Sequence, residues 1–210
     1  MSQISQETLL SKFSYLTARP SLDYVAVNVP ADKVVEFARV LRDELGFDVL
    51  TDLTAVDWDK AAPRFSAVYH FYGSVSKQFL RVVCDAPDSV NPAVPSLTGL
   101  FPSANWHERE AYDLVGVRFE GHPDLRRILM WDGYPHHPLR KDFPLAGVEG
   151  ELPAADVAEE VGPVVKPAPM AGGPFVSKCG STLASGEPRA LDQSWNESNP
   201  KSGNAEKLKS

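Results

Sequence analysis

Residues 64–84, RFSAVYHFYGSVSKQFLRVVC, decide the fold. Two runs rich in β-branched and aromatic residues, 64–72 and 78–84, flank a short segment that opens on Gly73, which is the composition of a β-hairpin. Upstream, residues 23–29 alternate. Val25, Val27 and Val29 fall on one face, Tyr24, Ala26 and Asn28 on the other, and Pro30 stops the strand. Asp32 offers an N-cap to a helix over 33–45, whose Val34, Ala38, Leu41 and Leu45 form one apolar stripe and which Gly46 should end. Before these, residues 5–16 place Leu9, Leu10, Phe13 and Leu16 at helical spacing. Between helix and hairpin, 47–50 reads as a short apolar step and 51–59, TDLTAVDWD, as a polar connection. Downstream, PAVPSLTGLF (92–101) predicts a short helix entered through proline, and Ser103 a cap for a helix over 104–115 closed by Gly116. This order predicts an α+β domain, its mixed or mostly antiparallel sheet carrying helices on one face and ending near residue 116.

Beyond that point regular periodicity fades. Prolines at 123, 135, 138 and 144 bias the residues before them toward extended backbone, so 117–146 should run as an irregular arm over other structure. The last 64 residues, 147–210, hold seven prolines, eight glycines and two aromatics, Phe175 and Trp195. Such a tail lacks the apolar content for its own core and is expected to order on partners, with those two aromatics as anchors.

Composition excludes several functions. A net charge of −7 and a pI near 5.2 oppose binding to nucleic acid or directly to an anionic membrane. The two cysteines, Cys84 and Cys179, stand far apart without a CxxC, so the chain is not expected to hold an iron–sulfur cluster or a structural zinc. The first ten residues show no basic region followed by an apolar one, so no signal peptide is expected and the thiols should be reduced. The longest uncharged run, 89–106, is broken by Pro92, Pro95 and Pro102, and no membrane span is expected.

Chemistry concentrates in residues 106–145, WHEREAYDLVGVRFEGHPDLRRILMWDGYPHHPLRKDFPL, with four of the five histidines, six Lys or Arg and seven acids among aromatics. Opposite charges in such company predict groups that pair while partly buried, at an interface or a site. The spacing from Gly116 to Gly121 imitates a P-loop, but His122 and Pro123 occupy the positions of its Lys and Ser or Thr. His107 and Glu110, three apart on a helix, resemble half of a di-iron site whose other half is missing; with His122 they would make a metal-dependent hydrolase. His122 with Asp124 fits a His-Pro-Asp turn better than an acid–base pair. The pairs Arg126–Arg127 and Arg140–Lys141 could grip phosphate, yet each has an acid beside it, Asp124 and Asp142.

The residues themselves resemble a family. Glu108-Arg109-Glu110, Tyr112-Asp113-Leu114, Gly116, Phe119, the run Gly121 to Leu129, and His137-Pro138-Leu139-Arg140-Lys141-Asp142-Phe143-Pro144-Leu145 are similar to the signature of the C subunit of NADH-quinone oxidoreductase, respiratory complex I. The resemblance covers roughly residues 5–145. It implies a peripheral-arm subunit with no active site or cofactor of its own, packed against the D, B and I subunits, which carry clusters and the quinone site while NADH and FMN lie elsewhere in the complex. It implies a place on the cytoplasmic side of the cell inner membrane, touching the membrane only through the complex. The suspected partner-facing residues are Glu108, Arg109, Glu110, Tyr112, Asp113, His122, Asp124, Arg126, Arg127, His137, Arg140, Lys141 and Asp142, with Phe175 and Trp195 in the tail. An equivalent subunit of a hydrogenase-type membrane complex is the alternative. Two positions depart from the pattern: His136 stands where glycine is usual and Val115 where phenylalanine is common.

Overall fold

The structure, a computed structural model, describes residues 4–131 and 133–144, with the backbone of 150–151 and 164–165. The chain divides into two units, Met1–Asp142 and Phe143–Ser210. In the second, the described strands Gly150–Glu151 and Val164–Val165 pair antiparallel.

The first unit is α+β. Its five-stranded sheet has the order β1-β2-β5-β4-β3, with β1 at Thr17–Ala18, β2 at Val25–Val29, β3 at Val49–Asp57, β4 at Phe65–Gly73 and β5 at Gln78–Asp85. The sheet is mixed. Strands β4 and β5 form the expected antiparallel hairpin, while β2 lies parallel to β5 with Val27 opposite Val82. Helices α1 (Gln6–Lys12), α2 (Val34–Asp43) and α3 (Ala104–Val115) cover one face, where Leu9, Phe37, Leu41, Ala111 and Val115 meet Val27, Leu53, Tyr69, Phe71, Leu80 and Val82 in a single core.

Three local expectations fail for identifiable reasons. The polar connection TDLTAVDWD is most of β3, an edge strand. Its inward residues Leu53, Ala55 and Asp57 alternate properly, but a register shift between Leu50 and Asp52 separates the buried pair Leu50 and Leu53 by three and disguises the period. Residues 92–101 are not a helix. Ala93–Pro95 forms β6, parallel to β7 at Arg118–Glu120, because Pro95 forces Val94 into extended backbone. Neither expected side-chain cap forms. A 3-10 turn at Ala31–Lys33 precedes α2, and Ser103, itself helical at φ −60°, turns its hydroxyl away to donate to the Leu50 carbonyl at 3.1 Å. Gly116 does close α3, at φ +84°, its N–H donating to the carbonyls of Ala111 and Tyr112.

Candidate functional site

Helix α3 sets two acids on its buried side. Asp113 is fully buried and organises the arm that follows the helix. Its Oδ2 accepts the successive amides of Ile128, Leu129 and Met130 at 2.9, 2.7 and 2.9 Å, and its Oδ1 accepts Arg127 Nη1 at 2.6 Å. The backbone carbonyl of the same residue takes Arg127 again at 3.0 Å and the Nδ1–H of His137 at 2.9 Å. Burial works to raise the Asp113 pKa, but the amides of Leu129 and Met130, the Arg127 guanidinium and the Ile128 amide outweigh it and hold the carboxyl below its ordinary value. One residue thus holds 127–130 through its carboxylate and His137 through its carbonyl at the end of a helix.

A second acid clamps the far end. Asp57, the last residue of β3, accepts both prongs of Arg64 at 2.9 and 2.8 Å and the amides of Asp59 and Lys141, each at 2.9 Å. Bonding to Arg64 lowers the Asp57 carboxyl to about 2 against the opposing effect of burial. Arg64 also reaches Asp142 at 2.9 Å. Neither Asp57 nor Arg64 stands among the residues expected from sequence. The signal that could have found them is an acid at an inward strand position facing an arginine at the start of the next strand, and it is hidden as long as β3 reads as a connection.

Between the clamps the arm is fastened by cations on backbone carbonyls. Arg109 donates from Nε to the Arg126 carbonyl at 3.2 Å and lies 5.0 Å over the Trp106 ring. Arg127 Nη2 donates to the His136 carbonyl at 3.0 Å. Arg140 Nε donates to the Val115 carbonyl at 2.7 Å, over the Phe65 ring at 5.1 Å. A Cβ on Gly116 would run into the Arg140 guanidinium and sit 2.6 Å from His137 Cδ2, so the close approach and the positive φ both demand glycine there. His136 needs no such freedom: Asp59 and Lys77 are the described non-glycine residues at positive φ.

Of the arginines in this stretch, Arg127 meets a buried carboxylate, that of Asp113. Arg126 pairs with Asp124 at 2.8 Å with both side chains about three-fifths exposed, and Arg140 is held by a carbonyl and a ring. Arg140 guanidinium charge is disfavoured chiefly by burial. His122 accepts the Asp124 amide at Nδ1, 3.0 Å, which leaves its proton on Nε2 to donate to the Asn105 carbonyl at 3.2 Å, a tied turn. His107 turns toward Asp52, 3.8 Å away, and the described residues contain no group of three His, Cys, Asp or Glu able to hold a metal ion.

Glu108, Arg109 and Asp113 spend their polar atoms inside the chain and shape the surface from beneath. Glu110, Asp124, Arg126, Lys141 and Asp142 are exposed, and Tyr112, His122, Arg127, His137 and Arg140 are half-buried. Three large apolar side chains stand out into solvent on this scaffold: Trp106 at 62%, Leu129 at 56% and Leu139 at 58% exposure. All sit on α3 or on arm backbone bonded to it, Leu129 through Asp113 and Leu139 through the Leu114 carbonyl. Phe175 and Trp195 lie outside the described residues. No helix among the described residues is long and apolar enough to cross a membrane.

Residues 27–149 match the family model of the respiratory-chain NADH dehydrogenase 30 Kd subunit. A C subunit of NADH-quinone oxidoreductase from Rhizobium meliloti (strain 1021) is 49% identical over 129 residues, 60% of this chain and 70% of the relative. The C subunits of Geobacter sulfurreducens and Moorella thermoacetica are 45% and 46% identical over 139 residues, 66% of this chain and 85% and 93% of theirs. Among solved structures, a chain of the membrane-bound sulfane sulfur reductase, an archaeal respiratory membrane complex, superposes with a TM-score of 0.57 at 26% identity, covering 74% of this chain and 88% of that one. With the match spanning more than half of its residues, the arm and its two clamps included, the chain belongs to the family of the 30-kDa subunit of respiratory-chain NADH dehydrogenase, the C subunit of NADH-quinone oxidoreductase.

Proposed function

We propose that this chain is an accessory, noncatalytic subunit of a proton-translocating NADH:quinone oxidoreductase, and that it supports assembly and packing beside the D subunit, at the quinone site, and the cluster-bearing B and I subunits. In this reading it is a peripheral subunit on the cytoplasmic side of the cell inner membrane. NADH, FMN, iron–sulfur clusters and quinone belong to its partners.

The observation that carries the reading is the clamped arm. Two buried carboxylates hold residues 127–130 and Lys141 on the domain, the arm so held presents Leu129 and Leu139 to solvent, and α3 presents Trp106. Large apolar side chains held out on rigid backbone, with a polar rim, are what a partner-binding surface requires, since they gain by burial and lose little entropy on binding. A second reading places the chain in a related membrane-bound respiratory complex. The likeness to a chain of the sulfane sulfur reductase supports it.

Affinity purification of the tagged chain from its host membranes separates these. Recovery of flavin and iron–sulfur subunits with NADH:quinone activity is the expected outcome. Recovery of a sulfur-reducing or hydrogenase-type assembly would favour the second reading, and recovery of the chain alone would refute both.

A further inference from the structure

The other buried acid of α3, Glu108, has no part in holding the arm. Its side chain is fully buried, yet no cation among the described residues bonds to it. Its Oε1 accepts the Leu97 amide at 2.7 Å and its Oε2 bonds Ser96 Oγ at 2.7 Å. Ser96 Oγ in turn stands 2.8 Å from Thr98 Oγ1, and both hydroxyls belong to half-buried residues at the edge of the core. A wholly buried phenol lies near it: the Tyr69 hydroxyl of β4 has no hydrogen-bond partner among the described residues, and it is close enough for the Glu108 charge to oppose its ionisation.

A carboxylate buried under a helix without a cation, with an orphan phenol nearby, is an expensive arrangement if the carboxylate is charged and an ordinary one if it is neutral. We propose that Glu108 is a proton-exchanging group, seated in the core as the neutral acid and connected to solvent through the hydroxyls of Ser96 and Thr98. The chain of hydroxyls can run in either sense. With Glu108 ionised, Thr98 donates to Ser96 and Ser96 to Oε2. With Glu108 protonated, Oε2–H donates to Ser96 Oγ and Ser96 donates to Thr98, so uptake of a proton at Thr98 from water adds one hydrogen to Oε2 while each hydroxyl oxygen ends with one hydrogen as it began. Release reverses the three transfers.

The groups around Glu108 favour this reading. Tyr69 faces it from β4, and Cys84 of β5, whose thiol burial pushes up to about 12, lies near Tyr69. From β3, which also packs on α3, Asp52 faces His70 and His107, and Asp57 is taken by Arg64. From β7, Arg118 and Glu120 are exposed. On α3 itself, Arg109 is turned to the arm. None of these bonds to Glu108. Burial therefore dominates the two donors and raises its carboxyl to about 7. The consequence for stability has a definite sign. A carboxyl whose folded pKa is raised contributes most below its unfolded value near 4.5, and the contribution is lost as pH rises through about 7.

Carbon-detected NMR titration of the side-chain carboxyl in the full chain tests the proposal without altering it. The Glu108 carboxyl should titrate near neutrality, with about one tenth ionised at pH 6 where an ordinary glutamate is almost wholly ionised. Ser96→Ala, which removes a donor to the charged form, should move the midpoint higher. Thr98→Val, which keeps that donor and cuts the outlet, should leave the midpoint in place and slow proton exchange at Glu108. A wild-type midpoint near 4.5 would overturn the neutral seating, and exchange unaltered by Thr98→Val would overturn the route.

Discussion

Replacing Asp113 by asparagine removes one charge and almost no volume, and so isolates what the carboxylate does. The amide oxygen can keep the three N–H donors of Ile128, Leu129 and Met130 only by turning its NH2 toward Arg127 Nη1, 2.6 Å from the present Oδ1. Turned the other way, it offers NH2 to three N–H groups. Either orientation sets donor against donor. Breaking a buried ion pair from one side costs about 3–5 kcal/mol, and each stranded buried amide about 1–3 kcal/mol. The two costs do not add, because the arm can escape into water once its hold is lost. An overall loss of about 3–5 kcal/mol in urea unfolding is expected, with early loss of hydrogen-exchange protection at residues 128–130. Asp124→Asn, at the exposed pair with Arg126, is the control and should leave the urea midpoint and the protection of 128–130 close to those of the wild type. Equal urea midpoints and equal protection in Asp113→Asn and the wild type would refute the view that this carboxylate organises the arm.

Other outcomes follow from the same geometry. Gly116→Ala should destabilise by at least about 2 kcal/mol, from the left-handed backbone and the clash with Arg140 and His137, whereas Gly121→Ala, at the same φ in open space, should cost only about 1 kcal/mol; thermal unfolding of the pair checks this. Asp57, lowered to about 2, should contribute about 2 kcal/mol that is present above its unfolded value near 3.8 and lost as pH falls through 2, a dependence that acid unfolding should find flattened in Asp57→Asn. The purified chain should show neither flavin nor iron–sulfur absorption and should not oxidise NADH.

Much of the fold is legible in the sequence because its signals are local. The hairpin over β4 and β5 is written in two β-branched and aromatic runs around a turn that opens on Gly73, β2 in the spacing of Val25, Val27 and Val29, and α2 carries its stripe at helical spacing. Strand β3 escapes such reading because the irregularity at Thr51 breaks the alternation that identifies a strand, and β6 because a proline-flanked apolar run looks the same before a helix as inside an extended segment. In the arm, residue types announce pairing but not partners. Arg126 and Arg127 are identical neighbours in sequence. Only the path of the chain makes one an exposed companion of Asp124 and sends the other into the Asp113 carboxylate. The Asp57–Arg64 clamp is invisible for the same reason, since its importance comes from Lys141 arriving 84 residues later.

If the clamped arm and α3 display partner-binding side chains, changing those side chains while leaving Asp57 and Asp113 in place should break the association. Trp106→Ser, Leu129→Ser and Leu139→Ser combined alter three exposed side chains; the two leucine changes should each alter stability of the isolated chain by no more than about 0.5 kcal/mol, and loss of the Arg109 contact with the Trp106 ring by about 0.5–1 kcal/mol. The measurement is the amount of flavin and iron–sulfur subunits that co-purify with the tagged triple variant from host membranes, relative to the wild-type chain. A folded chain that recovers less than about one tenth of the wild-type amount is expected, a loss of at least about 1.4 kcal/mol in association. Wild-type recovery by a variant bearing all three serines would contradict it.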